Sequence, residues 1–119
     1  MNAADRIRIQ HMRDAAREAI TFVEGRQRAD LDRDRVLALA LVRCIEIIGE
    51  AAAQVTGETR VSCPQIPWPS IVGMRNRLIH AYFDVDLDRV WDTLTTDLPP
   101  LIGALETLLS EDEQRDQTQ

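Results

Sequence analysis

The sequence predicts an all-α fold of close-packed helices in a single domain, and three observations carry that expectation. Apolar residues recur at spacings of three and four over several long stretches, the signature of helices that bury one face. The hydrophobic share is 45%, yet the aromatics are only Trp 2, Tyr 1 and Phe 2, and Ala, Leu, Ile and Val supply most of the rest, which disfavours a β-sandwich. The length, 119 residues, is close to the modal size of one domain and leaves no room for a separate cofactor-binding unit.

In the first helix, expected over roughly residues 3–24, Ile9, Met12, Ala16, Ala19, Ile20 and Val23 form one apolar stripe, and Gly25 provides a C-terminal stop. Residues 26–35 alternate acids and bases around Ala29 and Leu31 and read as a solvated connection, with Asp34 placed to cap the next helix. The second helix, about Asp34 to Val55, is apolar around most of its circumference and is therefore the central one. At about 100° per residue its polar positions Arg43, Glu46, Glu50 and Gln54 collapse into one narrow stripe flanked by Leu39 and Ile47, which needs a polar partner or a groove. Gly57 ends this helix, and Pro64, Pro67 and Pro69 predict a stiff extended loop to Trp68. A third helix is expected from about Trp68 to Phe83, with Pro69 tolerated in its first turn. Asp86 can cap a fourth, in which Val90, Leu94, Leu98, Leu101, Leu105 and Leu108 keep one register across Pro99 and Pro100, so one kinked helix is expected. The string SEDEQRDQTQ lacks apolar residues, and residues 110–119 are expected to be a disordered acidic tail beyond a domain of residues 1–109.

Fourteen arginines, with no lysine, oppose twenty carboxylates for a formal charge of −6, which argues against sequence-independent coating of nucleic acid and confines any such contact to a local site. The longest apolar run, Val36 to Val42, is far short of a membrane span or a signal-peptide core, and a cytoplasmic location without membrane contact is expected. Cys44 and Cys63 lack a CxxC pair or a nearby His and read as free thiols. No metal and no cofactor are expected. Asp84, Asp86 and Asp88 resemble the start of a calcium loop, but Arg89 stands where that loop needs Gly and Thr95 where it needs Glu. His11 reads as a solvated residue of the first helix, and Trp68 and Trp91 as core or interface anchors.

The chemistry concentrates in the third helix. On an ideal helix Ile71, Val72, Met74, Leu78, Ile79, Ala81, Tyr82 and Phe83 form a broad apolar arc, and Arg75 falls in its middle. A guanidinium cannot shed its charge, so this position demands a carboxylate, a phosphate or a water-filled cleft. An ion pair with Glu46 or Glu50 and a functional anion site both satisfy it. Asn76 and His80, at i and i+4, share the polar arc, where the amide can orient one imidazole nitrogen; the alternative for His80 is a solvated or capping role. Arg75 and His80 lie about 140° apart on an ideal helix, so a twofold pairing of two copies would ease their convergence on one phosphate.

The string GMRNRLIHAYFDVDLDRVWDTLTTDLPPLIGALE, with CIEIIGEAA and IPWPSIVGMRN upstream, resembles the HepT-like toxins of the HEPN superfamily, which carry an Arg-x4-His-x-Tyr motif. Here the motif is Arg75, His80 and Tyr82, and the similarity runs from about Asp5 to Leu109. The resemblance implies an antiparallel bundle of four to five helices that forms a homodimer, with motif residues of both protomers lining one cleft. It implies metal-independent endoribonuclease activity of a type VII toxin–antitoxin system, with Arg75 holding the scissile phosphate and His80 as general acid or base. Asn76 would position, and Arg77 is an extra cation that can help hold RNA. The implied partner is a minimal nucleotidyltransferase (MNT) antitoxin, which would adenylylate Tyr82 within a larger toxin–antitoxin assembly. A reading of another class is a non-catalytic dimeric module whose cleft holds a nucleotidyltransferase or a nucleotide, and a third is a purely structural Arg75–carboxylate pair.

Overall fold

The structure, a computed structural model, describes residues 1–81 and 84–118. Three long helices frame it: α1 (Ala3–Val23), α3 (Arg35–Ala53) and α8 (Leu98–Thr118). Between the first two sits a single turn, α2 (Asp30–Arg33), and after α3 come the short helices α4 (Gly57–Ser62), α5 (Trp68–Val72) and α6 (Met74–Leu78). A two-stranded antiparallel hairpin, β1 (Ile79–Ala81) with β2 (Asp84–Val85), leads into α7 (Leu87–Asp92), and a π-helical segment, Thr93–Asp97, joins α7 to α8. The all-α expectation holds. The helix α3 packs along α1 and takes α5 and α6 across its other side, while α8 closes on α1. No helix of the described residues is long and apolar enough to cross a membrane.

The expected caps are in place. The Asp34 side chain accepts from the Leu37 N–H at the start of α3, the Asp86 side chain accepts from the Arg89 N–H at the start of α7, and Gly25 takes φ +72 after α1. The central helix is central: Leu41, Ile45 and Ile48 of α3 are buried with Ile9 and Met12 of α1 and Leu94, Leu98 and Leu105 of the last helical stretch.

Several boundaries differ from the expectation, each for a local reason. The solvated connection contains α2, because Leu31 is buried and pulls its neighbours into a turn. The stretch before Trp68 is not extended throughout: Gly57–Ser62 form α4, whose Thr59 packs inward. The third helix ends at Leu78 and not at Phe83, as the Leu78 carbonyl accepts from Asp86 N–H (2.8 Å) across the hairpin, in place of a further helical donor. The kink at Pro99 and Pro100 takes the form of the π-helical segment. Two consecutive prolines lack N–H donors for the carbonyls of Thr95 and Thr96, and the ladder widens ahead of them, with Leu98 N–H donating to the Thr93 carbonyl. The Leu stripe survives this widening, buried from Val90 to Leu108.

The tail departs furthest. Instead of a disordered segment, residues 110–118 continue α8. Asp112 and Asp116, one turn apart, both grip Arg6 of α1, and Arg6 Nε donates to Asp112 Oδ2 at 2.6 Å while the Met1 amino group donates to Asp112 Oδ1 at 3.0 Å. Carboxylates at i and i+4 on one face thus replace an apolar stripe. Near the same end, the buried Asp5 carboxylate accepts from the Thr56 N–H (3.1 Å), the Thr56 hydroxyl (2.6 Å) and the Thr59 hydroxyl (2.6 Å), tying α1 to the start of α4. Burial raises the pKa of Asp5, but the hydrogen bonds from the Thr56 and Thr59 side chains and from the Thr56 backbone outweigh it, and the net displacement is below the usual carboxylate range. For Asp112, burial is likewise outweighed by hydrogen bonds from the amino terminus and Arg6.

Both carboxyls are lowered on folding, so their stabilisation is complete at neutral pH and is lost as pH falls through their folded pKa values, below the usual carboxylate range. Asp5→Ala strands three donors at the α1–α4 junction and is expected to cost about 3 kcal/mol in urea unfolding at pH 7. A titration of the melting temperature should show a flatter acid limb for this variant than for the wild type; parallel limbs would contradict the assignment.

Candidate active site

The site is built on a close approach between α3 and α5. At Gly49 an added Cβ would lie 3.3 Å from the Ile71 carbonyl oxygen and 3.5 Å from that of Val72, so the missing side chain lets α5 lie directly on the central helix. Ile71, Met74 and Leu78 point into the core along this seam. Arg75, one turn beyond Ile71, then reaches Glu46, about one turn before Gly49, and Arg75 Nε donates to Glu46 Oε2 at 3.1 Å. The polar stripe of α3 is resolved into two pairs, since Glu50 meets Arg43 of its own helix at 3.5 Å. Of the two carboxylates open to Arg75 from sequence, Glu46 is the partner.

Arg75 does not sit in the middle of an apolar arc. The helix stops at Leu78 and residues 79–81 are a strand, so they do not continue a helical arc over it, and its side chain is 48% exposed against 24% for Glu46. Arg75 is thus held by a carboxylate and open to solvent together. The expected i, i+4 relation between Asn76 and His80 does not form either. Asn76 is exposed on α6, whereas His80 lies in β1, and the helical separation of about 140° between Arg75 and His80 no longer describes them. Arg77 turns away from Arg75: its Nη2 donates to the Ser70 carbonyl at 2.9 Å, and it lines a groove of about 790 Å³ between α5–α6 and α7–α8 with Ile71, Met74, Leu78 and Leu98 along the floor. Tyr82 lies outside the described residues.

The remaining candidates take structural places. Asp86 is the α7 cap, and among the described residues no group of three or more His, Cys, Asp and Glu is arranged to hold a metal ion. His11 is exposed on α1. Trp68 is buried, with its indole N–H on the Cys63 carbonyl (3.1 Å) and Arg60 over its ring at 5.9 Å, and Trp91 packs half-buried on the core. Both cysteines are free and buried; burial, with Glu18 nearby, pushes the Cys44 thiol up to about 11, and burial raises Cys63. Gly49 and Asp5 carry more of the architecture than sequence reasoning assigned them. A glycine in an otherwise apolar helix is the one available signal for the former.

Fold and motif together define an all-α protein with an arginine on a short helix and a histidine on the hairpin that follows it. The chain belongs to the HepT-like ribonuclease family, whose model, described as "Ribonuclease HepT-like", matches residues 12–108. It is 39% identical over 95 residues to the "Probable ribonuclease HepT" of Thermococcus cleftensis, covering 76% of this chain and 86% of that one. It is also 35% identical over 104 residues to a "Putative RNase" of Caldanaerobacter subterraneus (87% and 93% covered) and 32% identical over 100 residues to one of Methanocaldococcus jannaschii (84% and 83% covered). No solved structure matches the chain.

A branched side chain at position 49 should force α5 off α3. Gly49→Val is expected to lose about 1–3 kcal/mol in urea unfolding, as overpacked cores do. Gly103→Ala on α8, where nothing lies within 4 Å of the added carbon, should instead gain about 0.5–1 kcal/mol from helix propensity. Equal effects at the two glycines would refute the seam.

Proposed function

We propose that the protein is a metal-independent endoribonuclease toxin of a type VII HEPN/MNT system. The observation that carries this reading is the family match, which spans the Arg75 and His80 motif, joined to an Arg75 that is half-open to solvent yet held in place. In the proposed reaction the 2′-oxygen of a ribose bonds to the adjacent phosphorus while the P–O5′ bond breaks. A proton leaves the 2′-hydroxyl and another reaches the departing O5′, giving a 2′,3′-cyclic phosphate and a 5′-hydroxyl. His80 is assigned both transfers because histidine is the side chain that ordinarily both takes up and gives off a proton near neutral pH, and the Arg75 guanidinium matches the charge developing on the phosphate oxygens. Asn76 and Arg77 are assigned positioning roles on the RNA.

The active form is proposed to be a homodimer in which two copies of Arg75 and His80 share one cleft. Support comes from α3 and α5: Val36 (78% exposed), Leu39 (52%) and Val72 (37%) are apolar and uncovered, and Leu39 flanks the stripe that contains Glu46. A cognate nucleotidyltransferase antitoxin is proposed to neutralise the dimer, within a larger assembly, by adenylylating Tyr82, so that the added phosphate engages the same arginine. The proposed setting is the cytoplasm.

Two experiments test this reading. Purified protein in EDTA should cleave total cellular RNA to cyclic or 3′-phosphate ends, and His80→Ala should abolish turnover while RNA binding survives; a wild type as inert as the variant would move the assignment to a non-catalytic binding module. Leu39→Asp should convert a dimer to a monomer in light scattering and remove cleavage, and an unchanged dimer would place the interface elsewhere.

A further inference from the structure

We propose that Glu46 is the positioning residue for Arg75, an inference that rests on the phosphate-binding reading of Arg75 given above. Glu46 Oε2 accepts from Nε of the guanidinium at 3.1 Å. That bond engages one of five N–H donors and leaves the two terminal nitrogens, with four N–H bonds, out of the pairing. The terminal edge can meet two phosphate oxygens at once. A carboxylate on Nε therefore fixes the guanidinium plane without consuming the edge that phosphate would use.

The surroundings suit this role. Glu46 projects from the middle of α3 between the buried Ile45 and Ile48, on a helix of 19 residues, whereas α6 has five and cannot by itself hold a long side chain still. The carboxylate is the less exposed partner, so it is the anchor and the guanidinium the exposed head. Glu50, the next carboxylate along the stripe, is engaged by Arg43 and does not compete for Arg75. The Gly49 seam sets the distance between the two helices. Orientation comes with an electrostatic penalty, because a carboxylate beside the guanidinium repels the incoming phosphate. Removing the charge should thus tighten RNA binding, and removing the acceptor should slow the chemistry.

The test uses the full chain, isotopically labelled, with inorganic phosphate as probe and the Arg75 Nε–H resonance identified by its loss in Arg75→Gln. In the wild type this resonance should be protected from exchange with water and stay so as phosphate saturates. Glu46→Gln, whose amide oxygen still accepts, should keep it, and Glu46→Ala should lose it. Protection persisting in Glu46→Ala, or loss of the wild-type signal on adding phosphate, would overturn the proposal, the latter because phosphate would then be displacing Glu46. In RNA cleavage, kcat should fall about tenfold or more for Glu46→Ala and stay within about threefold for Glu46→Gln, with KM lowered in both. Melting temperatures should stay within about 5 °C of wild type, as the pair is half-exposed. Wild-type kcat in Glu46→Ala, alongside cleavage that needs His80, would overturn the positioning role and leave the ribonuclease intact. An inert wild type would instead overturn the ribonuclease reading and leave the resonance measurements to decide Glu46.

Discussion

The approach of two backbones at Gly49 sets the place of α5 and α6 on the central helix. With the Ile71 carbonyl oxygen 3.3 Å from where a Cβ would stand, α5 lies on α3 with no side chain between them, and the next helical turn inherits that placement. Met74 and Leu78 then drop into the core, and Arg75 between them is left facing the polar stripe of α3. A guanidinium presented this way keeps its charge partner and its solvent access together. An isolated surface pair would not order it, since exposed ion pairs contribute only about 0–1 kcal/mol and hold long side chains loosely. Here the helices fix the two backbones first, and the pair only chooses the rotamer.

Much of the remaining cationic charge is tied to carboxylates. Arg17 is tied to Glu106, Arg28 to Asp32 and Asp88, Arg26 to Asp34 and Arg6 to Asp112 and Asp116, and most of these contacts bridge separate elements. Arginine suits that work because its planar fork can aim two N–H donors at one acceptor, as Arg17 Nε and Nη2 both donate to Glu106 Oε1. A formal charge of −6, with several arginines engaged in this way, argues against a broadly cationic surface. Any RNA contact therefore depends on a few cations in a defined place, which gives the orientation of a single guanidinium more weight than it would have in a basic protein.

How much of this was legible in the sequence depended on whether the signal was local. The three long helices, the caps at Asp34 and Asp86 and the Leu stripe from Val90 to Leu108 follow from spacing alone, because helical periodicity and capping are properties of neighbouring residues. The Arg75 and Glu46 pair was visible as one of two choices, and only the Gly49 seam selects between them. The helical tail is not legible in composition, which registers the absence of apolar residues but not that Asp112 and Asp116 fall one turn apart opposite Arg6, 106 and 110 residues away in sequence. Asp5 illustrates the same limit: nothing near it in sequence announces that Thr56 and Thr59 will fold over its carboxylate.

The end of α6 shows how a helical wheel misplaces a motif that straddles a boundary. From Arg75 to Leu78 the chain advances as a helix, about 1.5 Å per residue, but from Leu78 to His80 it is extended, at roughly 3.3 Å per residue. The backbone of His80 is thus carried beyond the helix end onto a hairpin, and what locates it is the pairing of β1 with β2. That pairing is closed by Asp86, whose N–H donates to the Leu78 carbonyl at 2.8 Å and whose side chain caps α7 by accepting from Arg89 N–H at 3.1 Å. One aspartate therefore ends α6, closes the hairpin and starts α7. The run Asp84-Val85-Asp86 just after the motif has a physical reason for being there, independent of any contact with substrate: it sets the backbone position of the histidine relative to the arginine. The arginine is placed by the α3–α5 seam and the histidine by the hairpin, so their alignment depends on two separate pieces of architecture that meet at Leu78.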